Sequence, residues 1–166
     1  MTTMLGISLA GRQVVLVGGG SVTARRVPRF LADGAVVVVV APELSEAMRE
    51  IVEVHGLRHE RRVVRATDID EAWLVHTATG DSRVDAEVAG WCESRRILCV
   101  NASGGAHGSA RLAAETRSGD VVVGVVSDSS VDPRRSARLR EAIAGLLREG
   151  KLPLRRRRPT TTGRVD

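Results

Sequence analysis

The stretch VVLVGGGSVTARR, from Val14 to Arg26, decides the fold of this chain. Val14–Val17 is a short apolar run that ends in glycines, which is typical of a buried parallel strand followed by a tight turn. Gly18 permits that turn, and Gly20 lets the backbone approach a phosphate at the start of the next helix. The pattern G-x-G-x-x-G is matched if Thr23 replaces the last glycine, and it predicts a dinucleotide site. The alternative is a strand–turn–helix elbow that binds no ligand.

Strand and helix patterns alternate over about the first hundred residues. Apolar or charged strand patterns cover residues 14–17, 35–41, 59–64, 73–78 and 97–100. Helical spacing of apolar residues covers residues 21–33, 44–55 and 82–94. This alternation predicts an α/β fold, a doubly wound parallel sheet with its ligand at the carboxyl ends of the strands.

The pattern changes after Val100. A glycine-rich loop over 101–108 and a weakly patterned segment over 110–117 precede a valine-rich strand over 120–127. A helix is predicted over 133–148, and residues 151–166 form a basic tail that we expect to be disordered.

Charge and composition exclude several function classes. The net charge is +5, but Arg155–Arg158 contribute four charges, so the remainder carries only +1. A solvated tail is therefore expected, with nucleic-acid or membrane-surface binding as the alternative. Aromatic residues make up 2% of the chain, which argues against base-stacking platforms. Cys92 and Cys99 lack metal-ligand spacing and predict buried free thiols. Without a signal peptide or a membrane-length apolar run, we expect a cytoplasmic protein.

The second predicted strand ends in VVVVVAPELS. An acidic residue at this point usually binds the adenosine ribose, and Glu43 has that position, although Pro42 displaces it. The alternative for Glu43 is a surface residue near a helix cap. No arginine follows immediately, which favours NAD over NADP.

Further segments make a resemblance specific. In order they are GRQVVLVGGGSVTARRV, LADGAVVVVVAPE, TATGDSRVDAEVA, CESRRILCVN, SGDVVVGVVS and SARLREAIAGLL. Over about residues 5–150 the chain resembles the amino-terminal module of siroheme synthases, the precorrin-2 dehydrogenases, some of which are also ferrochelatases.

The resemblance implies a NAD-binding Rossmann domain over 1–112 and a dimerisation and helical region over 113–150 of a homodimer. It implies oxidation of precorrin-2 to sirohydrochlorin with hydride transfer to NAD⁺, and a separate uroporphyrinogen-III methyltransferase that supplies precorrin-2. By position, the implied NAD contacts are Gly18, Gly19, Gly20, Ser21, Val22, Pro42, Glu43 and Thr79.

Two departures from the family fall in the loop expected to meet the tetrapyrrole. Ser103 stands where the family has a catalytic aspartate, and Ala110–Ala113 replaces a Phe-x-x-Pro motif. Serine needs a base beside it to accept a proton, and His107 is the nearest titratable candidate in the sequence. The alternative for His107 is an ordinary exposed loop histidine. No carboxylate lies between Glu93 and Glu115 and no metal-ligand cluster is evident, which weakens the case for chelatase activity.

Two residues after Val100 are candidates for substrate binding. Ser127 falls where the family lines its tetrapyrrole cleft, and a strand-end cap is the alternative. Arg135 begins the last helix with Arg134 and Arg138, and arginines there suit a polycarboxylate substrate. A solvated helix face is the alternative.

These observations leave one leading hypothesis for the function and three alternatives. The first is an active NAD-dependent precorrin-2 dehydrogenase. The second is a degenerate homologue that binds NAD or a tetrapyrrole as a sensor, carrier or partner subunit, and Ser103 motivates it. An unrelated NAD(P)-binding protein and a nucleic-acid binder acting through the tail are the others.

Overall fold

A computed structural model describes residues 2–104, 107–128 and 132–152. The described chain falls into two compact units: residues 3–112 form one, and the other contains residues 113–152 together with Thr2. The predicted tail over 151–166 lies outside the described residues from residue 153 onward.

The first unit is built on a five-stranded parallel sheet, as predicted. Its strands are β1 (Gln13–Val17), β2 (Val36–Val40), β3 (Arg58–Glu60), β4 (Leu74–Thr77) and β5 (Leu98–Asn101). Their order across the sheet is β3-β2-β1-β4-β5. The chain therefore winds outward from β1 on one side and then crosses to β4 on the other. The crevice between β1 and β4 is the switch point at which ligands of doubly wound sheets bind.

Four helices of this unit follow the predicted pattern with one correction. They are α1 (Ser21–Ala24), α2 (Val27–Ala32), α3 (Glu46–His55) and α4 (Ser82–Arg95). The single helix predicted over 21–33 is wrong, because the helix is interrupted between α1 and α2. Pro28, at the start of α2, has no N–H for Ala24, and its ring crowds the carbonyl four residues back.

Alternation along the strands divides the core between the two faces of the sheet. Val15 and Val17 pack on the α4 side, whereas Val14 and Leu16 pack on the opposite side, against α2 and α3 residues. Cys92 and Cys99 are buried free thiols, as predicted. The charged strand predicted over 59–64 is shorter than expected, since only β3 pairs with the sheet.

The second unit contains a hairpin and the last helix. Its elements are β6 (Ala114–Ser118), β7 (Val121–Val125) and α5 (Pro133–Arg148). The weakly patterned segment over 110–117 thus contains a strand, which pairs antiparallel with β7. The predicted helix over 133–148 is confirmed, and Asp132 caps it through the N–H of Arg135 at 2.9 Å. No helix within the described ranges has the length and apolar character needed to cross a membrane.

A buried histidine on β4 makes the stability of the fold depend on pH. His76 is 1% exposed, and its Nδ1 has no hydrogen-bond partner in the described part of the chain. Burial, together with the positive charge of Arg26, lowers the pKa of His76 from 6.5 to about 4. The unfolded chain therefore binds a proton at a higher pH than the folded chain does.

We predict that the free energy of unfolding is highest with respect to His76 above about pH 6.5. It should fall by about 3 kcal/mol in all as the pH falls toward about 4, because the unfolded chain is protonated first. Urea unfolding at about pH 7 and about pH 4.5 measures the loss. A His76→Leu variant should lose much less stability over the same interval, because it has no imidazole to protonate. An equal loss in the variant and the wild type would contradict the assignment to His76.

Candidate active site

Four loops meet at the carboxyl edge of the parallel sheet. They follow β1, β2, β4 and β5, and they contain Gly18–Gly20, Pro42–Glu43, Ala78–Gly80 and Ala102–Gly104. The β1 and β4 loops touch, because the Cα of Gly18 lies close to the carbonyl of Ala78. The predicted binding crevice is therefore assembled from the loops in which the sequence concentrates small residues.

The glycine loop is closed on two sides and open on the third. Gly18 has φ +111°, and a Cβ there would lie 2.3 Å from the Ala78 oxygen. A Cβ on Gly19 would lie 2.2 Å from the Glu43 oxygen. Gly20 is exposed, and a Cβ there would meet nothing within 4 Å. No side chain caps α1, so its first N–H groups face an open space of the kind that a pyrophosphate fills.

The other predicted cofactor positions surround this opening. Ser21 and Val22 are exposed on the first turn of α1, and Pro42 and Glu43 are exposed on the neighbouring loop. The Ser45 N–H donates to the Gly19 carbonyl at 2.9 Å and joins the β2 loop to the glycine loop. Adjacent loops thus bring together the residues that the sequence placed at a dinucleotide.

Thr23 occupies the position of the last glycine in the motif. It is fully buried, and its hydroxyl has no hydrogen-bond partner in the described part of the chain. The fold therefore accommodates a buried threonine in α1 where the motif has its third glycine.

A buried carboxylate lies beside the glycine crevice, and the sequence analysis did not single it out. Asp85, in the first turn of α4, has no exposed surface. Its Oδ1 accepts hydrogen bonds from the Thr77 hydroxyl, the Thr79 N–H at 3.0 Å and the Thr79 hydroxyl at 2.9 Å. Its Oδ2 accepts a hydrogen bond from the hydroxyl of Ser103. The predicted cofactor residue Thr79 and the predicted catalytic residue Ser103 therefore share one carboxylate.

Asn101 holds the loop that carries Ser103. Its Oδ1 accepts from the N–H groups of Ser103 and Gly104, each at 3.0 Å. Its Nδ2 donates to the Asp85 carbonyl at 3.2 Å. The buried Asn101 thus holds the backbone of Ser103, and Asp85 holds its side chain. Ser103 is nevertheless exposed.

A weak signal for Asp85 exists in the sequence. The buried residues of α4 are Asp85, Val88, Ala89 and Cys92, which have the spacing of one helix face. A carboxylate on such a face needs polar partners. Those partners come from β4 and from the loop after β5, so only the folded chain reveals them.

Three predicted site residues do not belong to this hydrogen-bonded group. His107 is exposed, and its backbone N–H donates to the Gly104 carbonyl at 2.9 Å. Ser127 belongs to the second unit, where its hydroxyl is 3.0 Å from the Ser136 hydroxyl and accepts from the Asp132 N–H at 3.4 Å. Arg135 is exposed on the first turn of α5. Among the described residues, no group of three or more His, Cys, Asp or Glu side chains is arranged to hold a metal ion.

The sheet order and the open glycine loop define a dinucleotide-binding α/β protein. A family model described as putative NAD(P)-binding matches residues 5–114, and the chain belongs to this family. The predicted NAD cofactor agrees with that membership.

Several known proteins are similar to the chain over longer stretches. The precorrin-2 dehydrogenase of Bacillus subtilis is 28% identical over 144 residues, covering 86% of this chain and 87% of that protein. The precorrin-2 dehydrogenase of Priestia megaterium is 28% identical over 138 residues, 83% of this chain and 67% of that protein. Siroheme synthase 1 of Serratia proteamaculans is 37% identical over 90 residues, which are 54% of this chain but 19% of that protein.

A solved structure described as SirC, precorrin-2 dehydrogenase, has the same fold. The TM-score is 0.70 at 28% identity, and the match covers 87% of this chain and 70% of that one. The resemblance read from the sequence motifs is thereby confirmed.

Gly18 and Gly20 form a matched pair of test positions. Gly18→Ala should destabilise the protein without cofactor by about 1–3 kcal/mol, because the methyl group meets the Ala78 carbonyl in a left-handed conformation. At Gly20 the backbone has φ −83° and a Cβ would meet open space, so Gly20→Ala should hardly change the stability of the protein without cofactor. Its NAD⁺ affinity should fall by about tenfold or more, because the methyl group enters the space assigned to phosphate. Thermal unfolding and calorimetric titration separate the two effects, and unchanged NAD⁺ affinity in Gly20→Ala would contradict the site.

Proposed function

We propose that the chain catalyses the NAD-dependent oxidation of precorrin-2 to sirohydrochlorin in siroheme biosynthesis. One observation carries the proposal. The family model ends at residue 114, whereas the similarity to a precorrin-2 dehydrogenase extends over 144 residues, 86% of the chain. A shared cofactor domain alone would account only for the first part of that similarity.

The glycine crevice fits the cofactor that this reaction needs. NAD⁺, when bound, accepts a hydride from the substrate, and the second hydrogen leaves the substrate as a proton. The N–H groups at Gly20, Ser21 and Val22 would hold the pyrophosphate, and Pro42 and Glu43 would lie at the adenosine ribose. The turn at Thr79 borders the same crevice from the β4 side.

The charge at the start of α5 supports an anionic substrate. Arg134, Arg135 and Arg138 are all exposed in its first two turns, where the first turn has no acidic residue. Positive side chains there oppose the helix dipole and repel one another at spacings of three and four residues, so they do not stabilise the helix. A polycarboxylate tetrapyrrole would neutralise them. Within this proposal Arg135 binds a substrate carboxylate, and Ser127, whose hydroxyl already joins β7 to α5, borders the same ligand.

We also propose a homodimer formed through the region 113–150. Val121 and Val122 on β7 are 38% and 50% exposed, and Leu139 and Leu146 on α5 are 47% and 39% exposed. Apolar side chains on a small hairpin–helix unit are covered most simply by the same surfaces of a second copy.

Light scattering after gel filtration tests this interface. The wild type should have the mass of a dimer at micromolar concentration, and Val122→Asp should shift it to a monomer. Val54→Asp is the matched control, since Val54 is 71% exposed on α3 in the other unit and should leave the dimer intact. A monomeric wild type would contradict the proposal.

We also propose a source for the substrate and a cellular location. A separate uroporphyrinogen-III methyltransferase would supply precorrin-2. A cytoplasmic location is supported by the dinucleotide cofactor and by the free thiols of Cys92 and Cys99.

The oxidation assay tests the function directly. Purified protein with precorrin-2 and NAD⁺ should produce NADH in proportion to sirohydrochlorin, and NADP⁺ should be the poorer acceptor. Parallel reactions with sirohydrochlorin and Fe²⁺ or Co²⁺ measure any chelatase activity separately. A protein that binds both ligands and yields no NADH above background would overturn the proposal. That outcome would favour a degenerate homologue, the alternative that Ser103 motivates.

A further inference from the structure

We infer that Asp85 is the base behind Ser103, so that the Ser103 hydroxyl relays a substrate proton to the buried Asp85 carboxylate. This inference rests on the proposed function and concerns how its proton is removed. The sequence alone left Ser103 without a base, and His107 was the nearest candidate. The fold supplies a carboxylate from a helix eighteen residues earlier in the chain.

The geometry separates the two parts of the relay. Ser103 is exposed at the carboxyl edge of the sheet, where a substrate can contact its oxygen. Asp85 is 0% exposed, and Ser103 is the group that donates to its Oδ2. A proton that moves from the crevice to Oδ2 of Asp85 therefore passes through the Ser103 hydroxyl, whereas the Thr79 hydroxyl contacts the other oxygen, Oδ1.

The proton transfer balances through two bonds. As a substrate X–H bond breaks, its proton forms a bond to Ser103 Oγ, and the original Oγ–H proton moves to Asp85 Oδ2. The electron pair of the X–H bond stays on the substrate while the hydride leaves for NAD⁺. The net result is an oxidised substrate, NADH and a protonated Asp85, which returns its proton to solvent through Ser103.

A structural role does not explain why residue 85 is an acid and not its amide. The donors to its carboxylate are neutral hydroxyl and amide groups from Thr77, Thr79 and Ser103, and no ion pair to it occurs in the described part of the chain. Asparagine could accept hydrogen bonds from Thr77 and Thr79 at Oδ1 and donate to Ser103 without the cost of burying an anion. A buried carboxylate that no cation balances is typical of a functional group.

The other titratable groups nearby are less suited to this role. His107 is exposed, and the Ser103 hydroxyl donates to Asp85 instead. Asp81 is exposed at the start of α4, where its Oδ1 accepts from the Arg83 N–H at 2.9 Å and caps the helix. Asp85 is the carboxylate that contacts Ser103.

Single substitutions at Asp85 and Ser103 test the relay. Asp85→Asn keeps an acceptor oxygen for Thr77 and Thr79, so its thermal stability and its Kd for NAD⁺ should stay near those of the wild type. Its kcat for precorrin-2 oxidation should fall by about 10²- to 10³-fold, because the base is lost. Ser103→Ala should have a similar kcat. Glu87→Gln makes the same chemical change on the exposed side of α4 and should leave kcat unchanged.

The double variant Asp85→Asn with Ser103→Asp distinguishes a base from a structural residue. It moves the carboxylate to the exposed position and leaves an amide to hydrogen-bond it, so kcat should recover by at least about tenfold over Asp85→Asn. Ser103→Asp alone places two carboxylates together and should not exceed the wild type.

Each outcome decides the inference. An active wild type with an equally active Asp85→Asn would overturn the relay and leave the proposed function standing. An inactive wild type that gains activity as Ser103→Asp would indicate a decayed site and overturn both. If wild type and variants all bind NAD⁺ and none oxidises precorrin-2, both the function and the relay are wrong.

Discussion

The left-handed turn at Gly18 is the constraint on which the site depends. β1 is the central strand and pairs with β2 and β4, so the loop that leaves it must pass close to the loops of both neighbours. Gly18 and Gly19 permit contact with the Ala78 and Glu43 carbonyls at distances that no side chain would allow. These close contacts leave Gly20 and the start of α1 facing open space. The cofactor site is thus a consequence of the strand order and of glycine at positions 18 and 19.

The β4–α4 connection extends this arrangement from cofactor to chemistry. Alternation along β4 turns Thr77 toward α4 and His76 toward the other face. Thr77 and Thr79 then bind the Asp85 carboxylate, which in turn binds Ser103 on the next loop. Hydrogen bonds therefore connect the turn beside the glycine loop to the Ser103 hydroxyl, which we propose meets the substrate. At position 103, where the sequence resemblance implies an aspartate, the serine contacts a carboxylate that belongs to another element.

Local periodicity explains how much of this the sequence could predict. The valine runs of β1 and β2 and the apolar spacing of α3, α4 and α5 specify their elements directly, and the glycine loop identifies the binding edge. The break between α1 and α2 was missed because the pattern of apolar residues continues across it, while Pro28 removes the hydrogen bond that would join the two helices. β6 was missed because its residues are polar and half-buried, and its pairing with β7 defines it. Asp85 was missed for a related reason: its partners lie outside α4, and proximity to Ser103 arises only when β4 and β5 are neighbours.

A crystal structure of the protein with NAD⁺ and sirohydrochlorin is the measurement that tests the account most directly. It should place the pyrophosphate on the N–H groups of Gly20 to Val22. The Ser103 oxygen should lie within hydrogen-bonding distance of the tetrapyrrole, and the Ser103–Asp85 hydrogen bond should be retained. A tetrapyrrole bound away from Ser103, or a cofactor bound outside the glycine loop, would contradict the account.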